Sequence, residues 1–239
     1  MNPKSQIFQF KYFSISQSNS ALKVGTDAMV LGALVETTNE KSALDIGTGT
    51  GVLALMLAQK NPTIIVDAIE IDAATCIDAN LNFSKANWKE RLNLIEGDFL
   101  VHDFSKQYDL IVSNPPYYVD GLDSPDKRIT QSKHAKELNF ETLFNRVNQL
   151  LSSEGSFWLI YPFEIHGFVE TVARENELFP TQLIEIQGKP NRPTRMLACY
   201  KKIALSIKRE IFLIRNEEGN YSTKYIDATR EFHSKKIVR

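Results

Sequence analysis

With 239 residues, a formal net charge of −1 and 24% charged residues, the chain carries no global field that announces nucleic acid or a membrane, and its 43% hydrophobic content is enough for one sizeable core. Two cysteines, Cys76 and Cys199, lie far apart with no CxxC pair, which argues against a disulfide scaffold or zinc site and fits a reducing, cytoplasmic setting. His102, His134, His166 and His233 have no His, Cys or carboxylate partner at ligand spacing, so no metal is expected. No run approaches the roughly 18 apolar residues of a membrane span, and the opening MNPKSQIFQFKYFSISQ lacks the continuous apolar core of a signal peptide.

The first 25 residues carry aromatics at Phe8, Phe10, Tyr12 and Phe13 and read as an extended or hairpin appendage. The alternation of Phe8, Phe10 and Tyr12 predicts one face packed on the body. Residues 42–46 read as a short buried strand. Residues 52–60, apolar nearly all round and followed by Pro62, read as a helix. A β-branched run at 64–71, an amphipathic helix at 73–86 and short strands at 92–96 and 108–113 follow. Residues 140–151 read as a helix stopped by the Ser/Gly segment 152–155. A strand at 156–161 comes next, then a helix opened by Pro162 and running to about Glu175. Alternation of strands and helices with short connections predicts an α/β fold around a largely parallel sheet. The C-terminal part breaks the alternation. Runs at 183–187 and 196–202 flank GKPNRPT, which leaves no room for a helix, so they are expected to pair antiparallel. Residues 208–215 form another β-rich run, and 222–233 read as a closing helix.

The first chemical signal is ALDIGTGTGVLALML, residues 43–57. A strand runs into Gly47-Thr48-Gly49-Thr50-Gly51 and then into a helix. Such a turn lets a ligand approach the backbone closely, and the helix start offers unpaired N–H groups and partial positive charge. At the carboxyl end of a strand this makes a nucleotide-type pocket. Glu70, 19 residues past Gly51 at the end of the second strand, is placed to accept both hydroxyls of a ribose. Two cofactors compete for the geometry. Gly49-x-Gly51-x-x-Ala54 matches the dinucleotide fingerprint, a weak signal alone. Asp45 argues the other way, because a buried carboxylate two residues before the turn repels a pyrophosphate and suits an ammonium. That favours a cofactor with an amino-acid end, S-adenosylmethionine. In EGDFL, residues 96–100, Asp98 is placed to accept from the cofactor's adenine amino group and Phe99 to cover its ring; a solvated acid in a turn is the competing reading.

The second signal is LIVSNPPYYVDG, residues 110–121. Pro115 and Pro116 end the fourth strand, so Asn114-Pro115-Pro116-Tyr117 falls on the edge where open α/β sheets bind ligands. An exocyclic amine on a planar ring is a poor nucleophile, because its lone pair is delocalised. The Asn114 side-chain oxygen accepts one of its N–H groups and the Pro115 carbonyl the other, which favours a pyramidal nitrogen with its lone pair free. Tyr117 stacks on the ring. No strong general base is needed, since the nitrogen becomes acidic only after gaining the methyl. A rigid turn with aromatics packed on the body is the alternative.

Asp45–Gly51, Glu70, Asp98 and Asn114–Tyr117 together resemble the class I S-adenosylmethionine-dependent methyltransferases that act on planar amines, over about residues 20–205. The segment 8–34, FQFKYFSISQSNSALKVGTDAMVLGAL, and the tail YIDATREFH at 225–233 are similar to the bacterial tRNA1(Val) adenine-N6-methyltransferases, which modify the adenosine 3′ of the anticodon. The resemblance implies an α/β, Rossmann-like class I methyltransferase fold: a mostly parallel seven-stranded sheet with an antiparallel C-terminal hairpin. A single domain over 1–239, with 1–25 as a small N-terminal appendage, is expected. The resemblance further implies that Lys23, Gly25, Thr26 and Asp27 approach the methionine end of the cofactor and that Asp45, Gly47, Thr48, Gly49 and Gly51 line it. It implies that Glu70 holds the ribose, that Asp98 and Phe99 flank the adenine, and that Asn114 borders both cofactor and substrate.

Asn-Pro-Pro-Tyr does not name the substrate, because methyltransferases of protein glutamine and of guanine N2 carry it too. Only about 44 residues precede Asp45, part of them extended, which leaves little room for the extra helical region of a glutamine methyltransferase. Lys189, Arg192, Arg195, Lys201, Lys202, Lys208 and Arg209 crowd the C-terminal strands, and Lys127, Arg128, Lys133 and Lys136 punctuate residues 119–139, a polar segment able to close over the site. These favour tRNA as partner over a solvated face. A monomer is expected. A nicotinamide-dependent oxidoreductase or a non-catalytic nucleotide-binding module remains the reading from another class.

Overall fold

The computed structural model describes residues 7–116 and 140–234. In chain order the elements are β1 (Ile7–Gln9), β2 (Ser14–Ser16), α1 (Thr26–Leu34), β3 (Ser42–Ile46), α2 (Val52–Lys60), β4 (Ile65–Glu70) and α3 (Ala73–Lys85). They continue with β5 (Leu92–Glu96), β6 (Tyr108–Ser113), α4 (Phe140–Leu150), β7 (Leu151–Pro162), α5 (His166–Glu175), β8 (Phe179–Lys189), β9 (Arg192–Lys201), β10 (Lys208–Leu213) and α6 (Thr223–Thr229). β1 and β2 pair as a hairpin of their own.

The β-branched runs build one sheet in the order β10-β8-β9-β7-β6-β3-β4-β5. Neighbours run parallel except at β9, which lies antiparallel to both β7 and β8. Strands covered on both faces read as continuous apolar runs. Thus Ala43 of β3 packs into the cluster with α1 and α2, while Leu44 packs into the one under α4 and α5. α2 is apolar all round because α1 covers the side turned from the sheet. α4 buries only the stripe Leu143, Phe144, Val147 and Leu150. α3 starts where Asp72 accepts from the Thr75 backbone N–H at 2.9 Å, and Ser222 caps α6 by accepting from Tyr225 N at 3.1 Å.

Several expectations need correction. The sheet has eight strands, not seven. β9 runs against its neighbours, so the chain leaving it passes the end of β8 and adds β10 parallel to β8 at the edge, Lys208 opposite Gln182. β7 begins at Leu151, because the Ser/Gly segment joins the strand across an irregularity in its pairing with β6. The closing helix is only seven residues long. α1 was not anticipated. In the N-terminal hairpin the alternation fails at the turn. Phe10 donates its N–H to Phe13 O, Phe10 and Phe13 stack in the core, and Tyr12 is left 51% exposed.

Candidate active site

The site starts from one register. Ile46 at the end of β3 pairs with Ser113 at the end of β6, and Ser113 Oγ donates to the Ile46 carbonyl at 3.1 Å. Gly47 and Asn114 therefore leave the sheet side by side. The glycine turn is anchored to the next strand, where Gly47 N and Thr48 N both donate to Ile69 O, at 2.9 and 3.0 Å. Gly51 needs to be glycine, with φ +82° and an imagined Cβ 2.4 Å from the Phe83 ring.

Below the turn, Asp45 is fully buried. Its Oδ2 accepts from Thr48 Oγ1 at 2.6 Å and from Ala54 N at 3.2 Å, while its Oδ1 has no partner among the described residues. Burial pushes the Asp45 carboxyl up to about 7; the bonds from Thr48 and Ala54 pull the other way. Glu70 closes the turn from the side. One of its oxygens accepts from Gly49 N at 3.0 Å and the other from Ile71 N and Asp72 N at 2.8 and 2.9 Å. Of about four acceptor positions on a carboxylate, three are thus in use.

The opposite wall is the strap of residues 16–25. Asp78 of α3 accepts four bonds from it, from Asn19 N, Asn19 Nδ2, Ser20 N and Ser20 Oγ, at 2.8 to 3.0 Å. Asn82, one turn on, accepts from Ser16 N at 2.7 Å and donates to Ser16 O and to Thr50 O of the glycine turn, both at 2.9 Å. One side chain therefore ties strap to turn. Lys23 donates to the Gln17 and Ser20 carbonyls, so its ammonium is committed to the strap's own fold.

Strap, glycine turn, the start of α2 and Asn114-Pro115-Pro116 enclose a cleft of about 480 Å³. Lys23, Gly25, Thr26, Asp27, Gly47, Thr48 and Gly49 all line it. Side chains imagined at Gly47 and Gly49 meet nothing within 4 Å, so the backbone there is open to the cleft. The Asn114 amide has no hydrogen-bond partner among the described residues. Asp45, Gly51 and Glu70 are not among the residues lining the cleft, and Glu70 is joined to it through the bond from Gly49 N. Asp98 and Phe99 do not line it. Asp98 accepts from Leu100 N at 3.0 Å, and Phe99 is buried in the cluster beneath α4 and α5. Tyr117 and residues 119–139, with Lys127, Arg128, Lys133 and Lys136, lie outside the described residues.

Sequence reasoning missed Asp78 and Asn82 and, while placing Arg195 on the C-terminal strands, gave it no part in the cleft. Arg195 lines the cleft, and its Nε donates to Asp27 at 2.8 Å across 168 positions of sequence. The C-terminal cations do not form one surface. Arg195 pairs with Pro162 at the carboxyl end of β7, and Lys189 and Arg192 flank the β8–β9 turn at that same edge. Lys201 lies opposite Phe179 at the far edge, and Lys208 starts β10 there, in an ion pair with Glu210 at 2.7 Å. His166 does have a carboxylate at helical spacing, with Nε2 3.5 Å from Glu170. Among the described residues no group of three or more His, Cys, Asp or Glu is placed to hold a metal, and no helix is long and apolar enough to cross a membrane.

With this geometry in hand, comparison with known proteins is direct. The model of the methyltransferase small domain family matches residues 16–167. The chain belongs to that family. It is 38% identical over 228 residues to the tRNA1(Val) (adenine(37)-N6)-methyltransferase of Bacteroides thetaiotaomicron, covering 95% of this chain and 96% of that protein. The protein of the same name from Flavobacteriaceae bacterium strain 3519-10 is 34% identical, over 95% of this chain and 97% of its own. Among solved structures, a predicted O-methyltransferase of Agrobacterium tumefaciens superposes with a TM-score of 0.70 at 15% identity, covering 88% of this chain and 98% of that one, which shows a shared fold.

Proposed function

We propose that this methyltransferase moves a methyl group from S-adenosylmethionine to the exocyclic N6 of an adenosine in tRNA, the adenosine beside the anticodon of tRNA1(Val). The observation that carries the reading is the shared root of Asn114 and the glycine turn: an amide without a partner among the described residues and an open backbone face one cleft, joined by the Ser113–Ile46 bond. The names of the relatives supply the substrate.

The residues present fit the cofactor. A buried carboxylate oxygen without a partner is rare and calls for a donor, and Asp45 Oδ1 supplies one below the turn. Asp45, directly or through water, and the Lys23–Asp27 wall would hold the methionine end. Glu70 has one acceptor position left for a ribose hydroxyl and would share or release Gly49 N to take a second. When bound, the cofactor supplies an electrophilic methyl on a positively charged sulfur. Asn114 accepts one N–H of the target amine and the Pro115 carbonyl the other, which frees the nitrogen lone pair from the ring. Tyr117 is assigned to the ring face, where stacking is worth roughly 1–3 kcal/mol. Alignment of this kind supplies up to about 7–11 kcal/mol of a barrier. The target adenine has to leave any base stack to enter.

The chain is read as one folded unit, because Phe10 and Ile15 of the N-terminal hairpin join the same apolar cluster as the sheet. The same proposal treats it as a monomer, since one chain builds the whole cleft, and places it in the cytoplasm, where the free buried cysteines Cys76 and Cys199 stay reduced. The test is incubation with labelled methyl donor and total tRNA, followed by digestion and mass mapping. N6-methyladenosine at a single anticodon-loop position is expected. Label on guanosine N2, on protein glutamine, or on nothing overturns the assignment.

A further inference from the structure

We infer that the tip of the β8–β9 hairpin, carrying Lys189, Arg192 and Arg195, is the surface on which the phosphodiester backbone of the substrate RNA lies, with Arg195 taking the phosphate nearest the target adenosine. The inference rests on the tRNA reading above and gives that substrate a place on the protein.

Topology makes the first argument. β9 is the one reversed strand, so its first residues stand at the carboxyl edge of the sheet, level with Asn114 and the glycine turn. That edge receives Lys189 from the end of β8 and Arg192 and Arg195 from the start of β9, while Lys201 and Lys208 point their strands' other ends away. Roughly 10 Å of strand separates Arg195 from Arg192, at about 3.3 Å per residue. The cations therefore form a track leading out of the cleft rather than a cluster within it.

Availability makes the second. Lys189 and Arg192 are exposed and have no ion-pair partner among the described residues. Arg195 donates Nε to Asp27 and Nη1 to Thr194 O. A guanidinium has five N–H donors, so three remain without an acceptor among the described residues. A phosphate can be bound while Asp27 keeps the group aimed, and the planar fork suits phosphate oxygens. Lys23, the other cation lining the cleft, has committed two of its three donors to the strap. The acids at this edge are Asp27, which Arg195 neutralises, the exposed Glu164 after β7, Glu185 of β8, whose carboxylate accepts from Gln187 Nε2, and the exposed Glu217 and Glu218 after β10.

Preorganisation makes the third. The buried Gln187 side chain accepts from Asn191 N at 2.9 Å, and Asn191 holds φ +57°. The tip is thus a fixed turn, and little chain entropy is lost when it meets a ligand.

The test uses the full chain with a tRNA1(Val) anticodon stem-loop, measuring binding and methylation between 50 and 200 mM salt. Each phosphate contact to a single strand contributes a log–log salt slope of about −0.7. Lys189→Ala/Arg192→Ala is expected to lose about 1.4 units of slope, roughly sevenfold of the wild-type salt sensitivity across that range, with KM for RNA raised and S-adenosylhomocysteine affinity unchanged. Arg195→Ala is expected to lose about 0.7 units and Arg195→Lys to recover part of it. Lys201→Ala/Lys208→Ala, at the opposite edge, is expected to behave as wild type. A wild-type slope and KM in the hairpin variants, with wild-type tRNA methylation intact, overturns the surface and leaves the enzyme reading standing. An equal loss in the Lys201/Lys208 variant also overturns it, because a diffuse field then suffices. If the wild-type protein leaves tRNA unmethylated, both readings fall.

Discussion

Asp78 beneath the N-terminal strap and Asp45 beneath the glycine turn are both buried carboxylates, 1% and 0% exposed, on the two walls of one cleft. The chain surrounds them in opposite ways. Burial raises the Asp78 carboxyl, but four hydrogen bonds from Asn19 and Ser20 together outweigh it and hold the group below the ordinary carboxylate range. Among the described residues Asp45 has two donors on one oxygen and none on the other, and burial pushes it up to about 7. A completed acceptor is architecture. An acceptor left half made in a dry place costs stability, and its retention beside an open turn fits the cofactor-binding role proposed for it.

The sharpest way to break this contrast is to remove each acid. Asp78→Ala leaves four donors without their acceptor, so a loss of about 3 kcal/mol or more of folding stability is expected from bonds to a charged group worth about 1.5–3 kcal/mol each. Denaturant unfolding measures it, and cofactor affinity falls with it as the strap loosens. Asp45→Asn is expected to keep full stability at pH 8 yet bind S-adenosylhomocysteine about 10- to 100-fold more weakly by titration calorimetry, the loss of one charged hydrogen bond. If Asp45→Asn unfolds as readily as Asp78→Ala, the distinction between the two acids is wrong.

The pH dependence sharpens it. A carboxyl raised from its unfolded range to about 7 binds its proton more tightly when folded, so its contribution to stability falls as pH rises from about 4 to about 7. Asp78, held low, contributes stability that is present above the ordinary carboxylate range and lost as pH falls through its folded value. The stability of Asp45→Asn relative to wild type is therefore expected to climb between pH 4 and pH 7 in apo protein. A flat difference means that Asp45 is better solvated than its burial states. The smallest expected effect is Asn82→Ala, about 1–2 kcal/mol of stability with a raised KM for the cofactor, because strap and turn lose their shared tie while each keeps its own anchor.

Much of this was legible in sequence wherever the signal was local. β3, α2, β5 and β6 were read to their last residues, because each is a short apolar run bounded by glycine, proline or charge. The pairing of a glycine turn with Asn-Pro-Pro-Tyr was legible because both follow buried parallel strands. α1 was not, because Thr26–Leu34 is buried on nearly every side and shows no amphipathic stripe; even Gly32 serves packing, its imagined Cβ lying 2.6 Å from Met56. The edge strand β10 was readable as a run but not as a neighbour of β8, since that depends on the reversal of β9. The Arg195–Asp27 pair and the Asp78 clasp join distant segments and leave no periodicity behind. The C-terminal cations looked like one cluster because composition does not record strand direction.

The most direct test of the chemistry is the single-turnover methylation rate of Asn114→Ala, with S-adenosylhomocysteine affinity measured on the same preparation. A fall of about 10²-fold or more, about 2.7 kcal/mol of barrier, with cofactor affinity within about threefold of wild type, is the expected result, since the amide is assigned to the amine and has no hydrogen-bond partner among the described residues. A wild-type rate, or a rate loss that merely tracks a loss of cofactor binding, contradicts the assignment of Asn114 to the amine.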